Sequence, residues 1–250
     1  MKKLKSICFI VSAAIIGFAL IGCLGTEAQT QKTEIFTGEI ITSNERGKND
    51  DGYDYEFWRS SDNVSGKMTL GEDGAFSCEW GGGGNILFRT GKRYNATQPH
   101  SAYGDFSIKY SAKYNPGTSG VSYLSVYGWT RNPLVEYYIV ENYAGSYHPG
   151  SSGTKKGTFT IDGEGTYEVF SRDMKQQPAI AGPGKYDFVQ YISVRTQKRT
   201  SGTISVTRHF EEWDKLGLDM SGGLYEVMMK VEGYNSIGTA VLTENTLIIR

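Results

Sequence analysis

The sequence predicts an all-β protein, an antiparallel sandwich or jelly roll carrying one short helix, and three observations predict it. Short runs alternate apolar and polar residues with a period of two along most of the chain, as strands with one buried face do. The runs are separated by turn chemistry such as Glu72-Asp73-Gly74, Asn115-Pro116-Gly117, His148-Pro149-Gly150 and Asp162-Gly163. Glycine supplies 32 of 250 residues and aromatic side chains 13%, with 17 tyrosines among them, a composition suited to many strands and tight turns.

Taken in order, the chain opens with Lys2, Lys3 and Lys5 before an apolar run over 7–22. A basic start and a run of roughly 16 apolar residues fit an export signal over 1–22, and fall short of the ~20 a membrane span needs. The run closes on Leu20-Ile21-Gly22-Cys23, which resembles the lipobox of bacterial lipoproteins. Either Cys23 is lipidated or an ordinary secretory peptide is cut near Ala28. Residues 23–50 form a polar spacer, with 34–36 and 39–41 as an extra edge strand. With Cys8 inside the signal and Cys23 at its edge, Cys78 is left alone, so the exported domain has no internal disulfide; its alternating surroundings, 75–80, make it a small core residue.

Everything from 51 to 250 reads as one domain, since neither a repeat nor a second composition block interrupts it. Strands are expected at 67–70, 86–89, 107–110, 123–127, 135–141, 158–161, 166–170, 188–195, 203–207, 225–231 and 240–249. From His209 through Phe210, Trp213 and Leu216 the apolar spacing becomes three, and Gly217 follows, which predicts one short amphipathic helix.

Composition also excludes functions. With 26 Lys+Arg against 27 Asp+Glu, the chain lacks the basic footprint of a nucleic-acid binder, and contact with a membrane is expected only through a lipid on Cys23. The expected state is a monomer. His100, His148 and His209 are far apart in no ligand spacing, so neither metal nor cofactor is expected. No Gly-x-Ser-x-Gly elbow occurs. The run Gly81-Gly82-Gly83-Gly84 lacks the Lys-Ser/Thr of a phosphate loop and reads as a flexible strand connection.

Seventeen tyrosines are more hydroxyls than a core readily satisfies. Rings and hydroxyls together suit a sugar, whose faces are apolar and whose rims are polar, so carbohydrate is the favoured ligand class. Two carboxylates stand in apolar strands: Glu136 within 133–140 and Glu232 within 228–234. A lone mid-strand glutamate is ordinarily solvent-facing. Two among aromatics invite the glycosidase arrangement, in which paired carboxyls serve as nucleophile and as acid/base.

The segments Pro133-Leu134-Val135-Glu136-Tyr137-Tyr138 and Val231-Glu232-Gly233-Tyr234 resemble the two catalytic signatures of the family 11 glycoside hydrolases, the β-jelly-roll endo-1,4-β-xylanases. The resemblance runs from about Gly52 onward and includes 53–58, 123–130, 190–195 and 209–213. It implies a β-jelly roll of two packed, strongly curved antiparallel sheets with one short α-helix, cleaving internal β-1,4 bonds of xylan with retention and without cofactor or metal. Glu136 would be the nucleophile and Glu232 the acid/base, the charge on Glu136 holding the proton on Glu232 until Glu136 is esterified. Substrate-binding roles would fall to Tyr127 and Tyr138 beside the nucleophile and sugar, Gln190 beside the nucleophile, and Trp58 stacked on a xylose ring. Asn85 would contact the acid/base; in that family Asp there accompanies acid-active members and Asn those nearer neutral.

Pro178, in 177–182, would belong to the mobile thumb hairpin, with Ala179 where Ser is usual. Two departures stand out. The usual arginine four residues before the thumb proline is Met174, with Arg172 two positions earlier. A tyrosine expected six residues before the acid/base is displaced to Tyr225, with Glu226 in its place, so a bulge would be needed for Tyr225 to enter the cleft. The alternatives are a non-catalytic carbohydrate-binding jelly roll and a related cellulase-type glycosidase.

Overall fold

The computed structural model describes residue 36 and residues 38–145 and 147–250; the expected signal peptide, Cys23 and residues 34 and 35 of the extra strand lie outside them. Two sheets face each other. The first has six strands in the order β1 (Ile40–Ile41), β4 (Val64–Leu70), β5 (Phe76–Gly82), β15 (Gly238–Ile249), β7 (Phe106–Pro116) and β13 (Ser201–Ile204). The second has nine: β10 (Thr154–Ile161), β11 (Gly165–Ala179), β12 (Gly182–Arg195), β9 (Val135–Tyr143), β8 (Val121–Arg131), β14 (Gly223–Tyr234), β6 (Asn85–Arg93), β3 (Asp54–Arg59) and β2 (Glu45–Lys48). Neighbours pair antiparallel except β12 with β9, which run parallel. The jelly-roll expectation is met.

Strand alternation explains the packing. On the nine-stranded sheet Phe57, Phe88, Val126, Tyr137, Ile139, Met229 and Val231 point inward, and Met68, Phe76, Trp80, Ile108, Tyr110 and Leu242 meet them from the other sheet, all buried. Each such side chain contributes roughly 1.5–3 kcal/mol of burial. Cys78 is buried among them as a free thiol. Bulges at Leu124/Ser125, Leu224/Glu226 and Met174/Gln177 bend the strands of the nine-stranded sheet.

Several elements differ from expectation. The edge strand expected at 39–41 is present as β1 against β4, but the polar segment 23–50 also supplies a second edge strand that was not expected, β2 against β3. The helix, α1 (Val206–Lys215), starts a turn before His209. Val206 and Thr207 read as strand because they are β-branched. Yet Val206 is the first position of the apolar stripe completed by Phe210 and Trp213, and the Thr207 hydroxyl accepts the Phe106 N–H at 2.8 Å. His209, fully buried, lies 3.2 Å from Glu164 Oε1 and 3.1 Å from Ser193 Oγ, which also accepts from Trp213 Nε1, and so ties the helix to the sheet. The four glycines at 81–84 carry the chain from β5 in one sheet over to β6 in the other; Gly82 has φ +102°, and a Cβ there would meet the Asn63 carbonyl at 2.6 Å.

Candidate active site

The outer face of the nine-stranded sheet carries a second apolar cluster, including Tyr127, Trp129, Tyr138, Phe170, Phe188 and Ile192, and an open cleft of ≈ 210 Å³. Asn85, Tyr123, Tyr138, Arg172, Gln190 and Glu232 are among the residues lining it. Glu136, on β9, is buried on this face at 8% exposure. Its Oε1 accepts the Tyr127 hydroxyl at 2.7 Å and the Tyr138 hydroxyl at 3.0 Å, and its Oε2 accepts Gln190 Nε2 at 2.7 Å. Trp129 Nε1 donates to the Tyr127 hydroxyl at 2.6 Å, which commits that hydroxyl's proton to Glu136. Burial, then the charge of Glu136, pushes the phenols of Tyr127 and Tyr138 well above their ordinary value, so both remain donors. A carboxylate held by three directed donors has one orientation.

Glu232 sits on β14 with its side chain 14% exposed. Trp58 reaches the same face from β3: Leu87 pairs with Trp58 on one side and with Glu232 on the other, which sets their backbones two strand spacings, ~10 Å, apart. The Trp58 ring is 36% exposed at the rim. Asn85 shares the cleft with Glu232, and its Oδ1 is buried with no hydrogen-bond partner. Pro178 is exposed near the end of β11; the adjoining Ala179 and Ile180 pack against the cleft-side cluster. The Ile180 carbonyl accepts Arg131 Nη2 at 2.5 Å.

Both departures in the sequence have structural answers. Arg172 pairs with Gln190 in the β11–β12 register and lines the cleft, while Met174 packs against the cleft-side cluster. The register of β14 against β8 shifts between Leu224 and Glu226, so Tyr225 is itself the bulge residue. Its ring packs on the same cluster, with the Arg131 guanidinium 5.6 Å from the ring centre.

Two sets of charged residues on this face were missed. Lys230 is fully buried; its Nζ donates to Glu232 Oε2 at 2.5 Å and lies 3.7 Å from the Tyr127 ring centre and 4.2 Å from that of Tyr138. Beneath the site Arg89 is paired with Glu56 and Glu226, and Arg46 and Arg93 complete the group. A signal was present: Glu226, Lys230 and Glu232 share one strand parity, and the neighbouring strand sets Arg93 opposite Glu226 and Arg89 opposite Lys230.

The profile described as Glycosyl hydrolases family 11 matches residues 50–243. The chain is 50% identical over 209 residues to endo-1,4-beta-xylanase A of Bacillus pumilus, covering 84% of this chain and 86% of that one. It is 49% identical over 215 residues to an endo-1,4-beta-xylanase A of Thermoclostridium stercorarium, covering 86% of this chain and 31% of that longer one. A second Thermoclostridium stercorarium relative of the same name is matched over 40% of its length. Among solved structures, the family 11 xylanase from Neocallimastix patriciarum superposes with a TM-score of 0.76 at 38% identity, covering 85% of this chain and all of that one. With a profile match over most of its length and a half-identical relative matched nearly end to end, this chain belongs to glycosyl hydrolase family 11.

Proposed function

We propose that the protein is an endo-acting hydrolase of β-1,4-xylosidic bonds in xylan, working by a retaining double displacement with Glu136 as nucleophile and Glu232 as acid/base. In the first step a Glu136 oxygen attacks the anomeric carbon and forms an ester bond to it. The glycosidic C–O bond breaks, and the Glu232 carboxyl gives its proton to the leaving oxygen. In the second step the Glu232 carboxylate takes a proton from water, whose oxygen bonds to the anomeric carbon as the ester to Glu136 breaks. Two inversions give retention.

One observation carries this reading: Lys230 bonds Glu232 and lies on the rings of the two tyrosines whose hydroxyls hold Glu136. Both carboxyls therefore belong to one connected group on one face. Trp58 offers an exposed ring for a pyranose face, and Tyr127, Tyr138 and Gln190 fix the nucleophile. Following the anomeric proton by NMR during hydrolysis of xylo-oligosaccharides tests the mechanism, with reducing-sugar release from xylan testing the substrate. The expected first product has the β configuration. An α first product refutes the double displacement, and no release from xylan refutes the substrate.

We also infer export of the chain, from Lys2, Lys3 and Lys5 ahead of the apolar run. Palmitate labelling of the wild type against Cys23→Ala separates an anchored form from a free one.

A further inference from the structure

We propose that Lys230 is a positioning residue, the fixed counter-ion for the single negative charge that passes from Glu136 to Glu232 and back during turnover. The inference rests on the roles proposed above for the two glutamates. Lysines are almost never fully buried unless paired, yet Lys230 has no exposed surface. Its ammonium bonds Glu232 Oε2 at 2.5 Å on its own strand, and the faces of Tyr127 from β8 and Tyr138 from β9 complete its surroundings. The other charged groups facing it are Arg89, directly opposite on β6, and Glu136 on β9, whose Oε1 is held by the same two tyrosines. Burial pulls the ammonium below its ordinary value, and Glu232 and then Glu136 pull it back.

Charge conservation gives this placement its meaning. Before the first step Glu136 carries one negative charge and Glu232 carries a proton. In the glycosyl-enzyme Glu136 is a neutral ester and Glu232 carries the negative charge. A protonated Lys230 makes the trio neutral in both states, so the buried site holds no uncompensated charge at either stage. Its bond to Oε2 also fixes the Glu232 carboxyl and leaves Oε1 to exchange the proton.

The test is the pH dependence of kcat/KM on xylohexaose for the wild type and Lys230→Met, which keeps length and removes charge. Without the ammonium, Glu136 takes up a proton more readily and Glu232 releases its own less readily. Both limbs of the bell should then move to higher pH, each by about one unit, since an opposite charge in contact shifts a carboxyl by ~1–3 units. A lysine serving only as packing would lower the rate with both limbs unmoved, and that result overturns the proposal. A second measurement uses the wild type alone and decides the matter if Lys230→Met does not fold. The 15Nζ signal of Lys230 is recorded in the free protein and after trapping Glu136 as its 2-fluoroxylosyl ester. Protonation in both states is expected; a neutral amine in either overturns the counter-ion role. Failure of the wild type to hydrolyse xylan is a distinct result that refutes the proposed function instead.

Discussion

Replacing Arg89 with methionine should destabilise the fold by about 3–5 kcal/mol, the usual cost of removing one partner from a buried charge group. Arg89 is 3% exposed, and its Nε donates to Glu56 Oε2 at 2.8 Å while its Nη1 donates to Glu226 Oε1 at 2.5 Å. Glu226 is fully buried, and the loss of Arg89 takes its one hydrogen-bonded cation and leaves it only the ion pair of Oε2 with Arg93 Nε at 3.6 Å. Glu56 keeps Arg46 Nε at 2.8 Å, which places the effect below the sum of two orphaned charges. For a folded unit of this size each kcal/mol corresponds to ~2–4 °C, so thermal unfolding at pH 7 should fall by roughly 6–20 °C.

The pH dependence has a definite sign. Burial alone would raise the Glu56 carboxyl, but Arg89 and Arg46 hold it below its ordinary value. A depressed carboxyl stabilises the fold above its unfolded value of ~4.3, and that contribution is lost as pH falls. Burial leaves Glu226 raised even with Arg89 and Arg93 beside it. Without Arg89 both carboxyls protonate more readily in the folded state, so the gap between wild type and variant should narrow from pH 7 to pH 4. Calorimetric melts across that range measure it. A loss under 1 kcal/mol at pH 7, or a gap that widens on acidification, refutes the assignment of Arg89 as the central cation.

Glu136→Gln should lower hydrolysis of xylan by roughly 10⁴–10⁶-fold, as loss of a nucleophile does, with xylohexaose binding by calorimetry retained. Activity within tenfold of the wild type would remove Glu136 from the nucleophile role. Asn85→Asp should move the pH optimum down, the direction implied by the family resemblance, in which Asp at this position accompanies acid-active members; Asn85 lines the cleft with Glu232, so the two carboxyls would titrate as a pair. A pH–activity profile superimposable on the parent's refutes that coupling.

Most of the strands, and the placing of the two glutamates within them, were legible because both rest on local pattern; β2, β3 and β5 were not among the strands expected. The alternation in β9 and β14 names the faces of Glu136 and Glu232 without knowledge of any neighbour. The ends of elements were less legible where side-chain type and tertiary contact disagree. Val206 and Thr207 favour strands by propensity, but the apolar stripe continued by Phe210 and Trp213 brings them into α1. Tyr225 shows the same limit at a finer scale. Counting by twos puts it on the inner face, and only the register of β14 against β8 reveals that it occupies a bulge.

The buried charges were illegible for a different reason. A charged residue at alternate strand positions normally announces water, and Glu56, Arg89, Glu226 and Lys230 follow that spacing. Their face is instead covered by aromatic rings, among them Tyr127, which lies 4.8 Å from the Arg89 guanidinium and 3.7 Å from the Lys230 ammonium. Such a face is stable only if each charge meets its opposite, and cross-strand register is what delivers the partner: Glu56 on β3 lies directly across from Arg89, and Glu226 on β14 directly across from Arg93 and within reach of Arg89. Register is a property of pairs of strands. The sequence of one strand therefore states which residues are charged, while the sheet decides which of them meet, and brings Lys230 to Glu232 beside the tyrosines that hold Glu136.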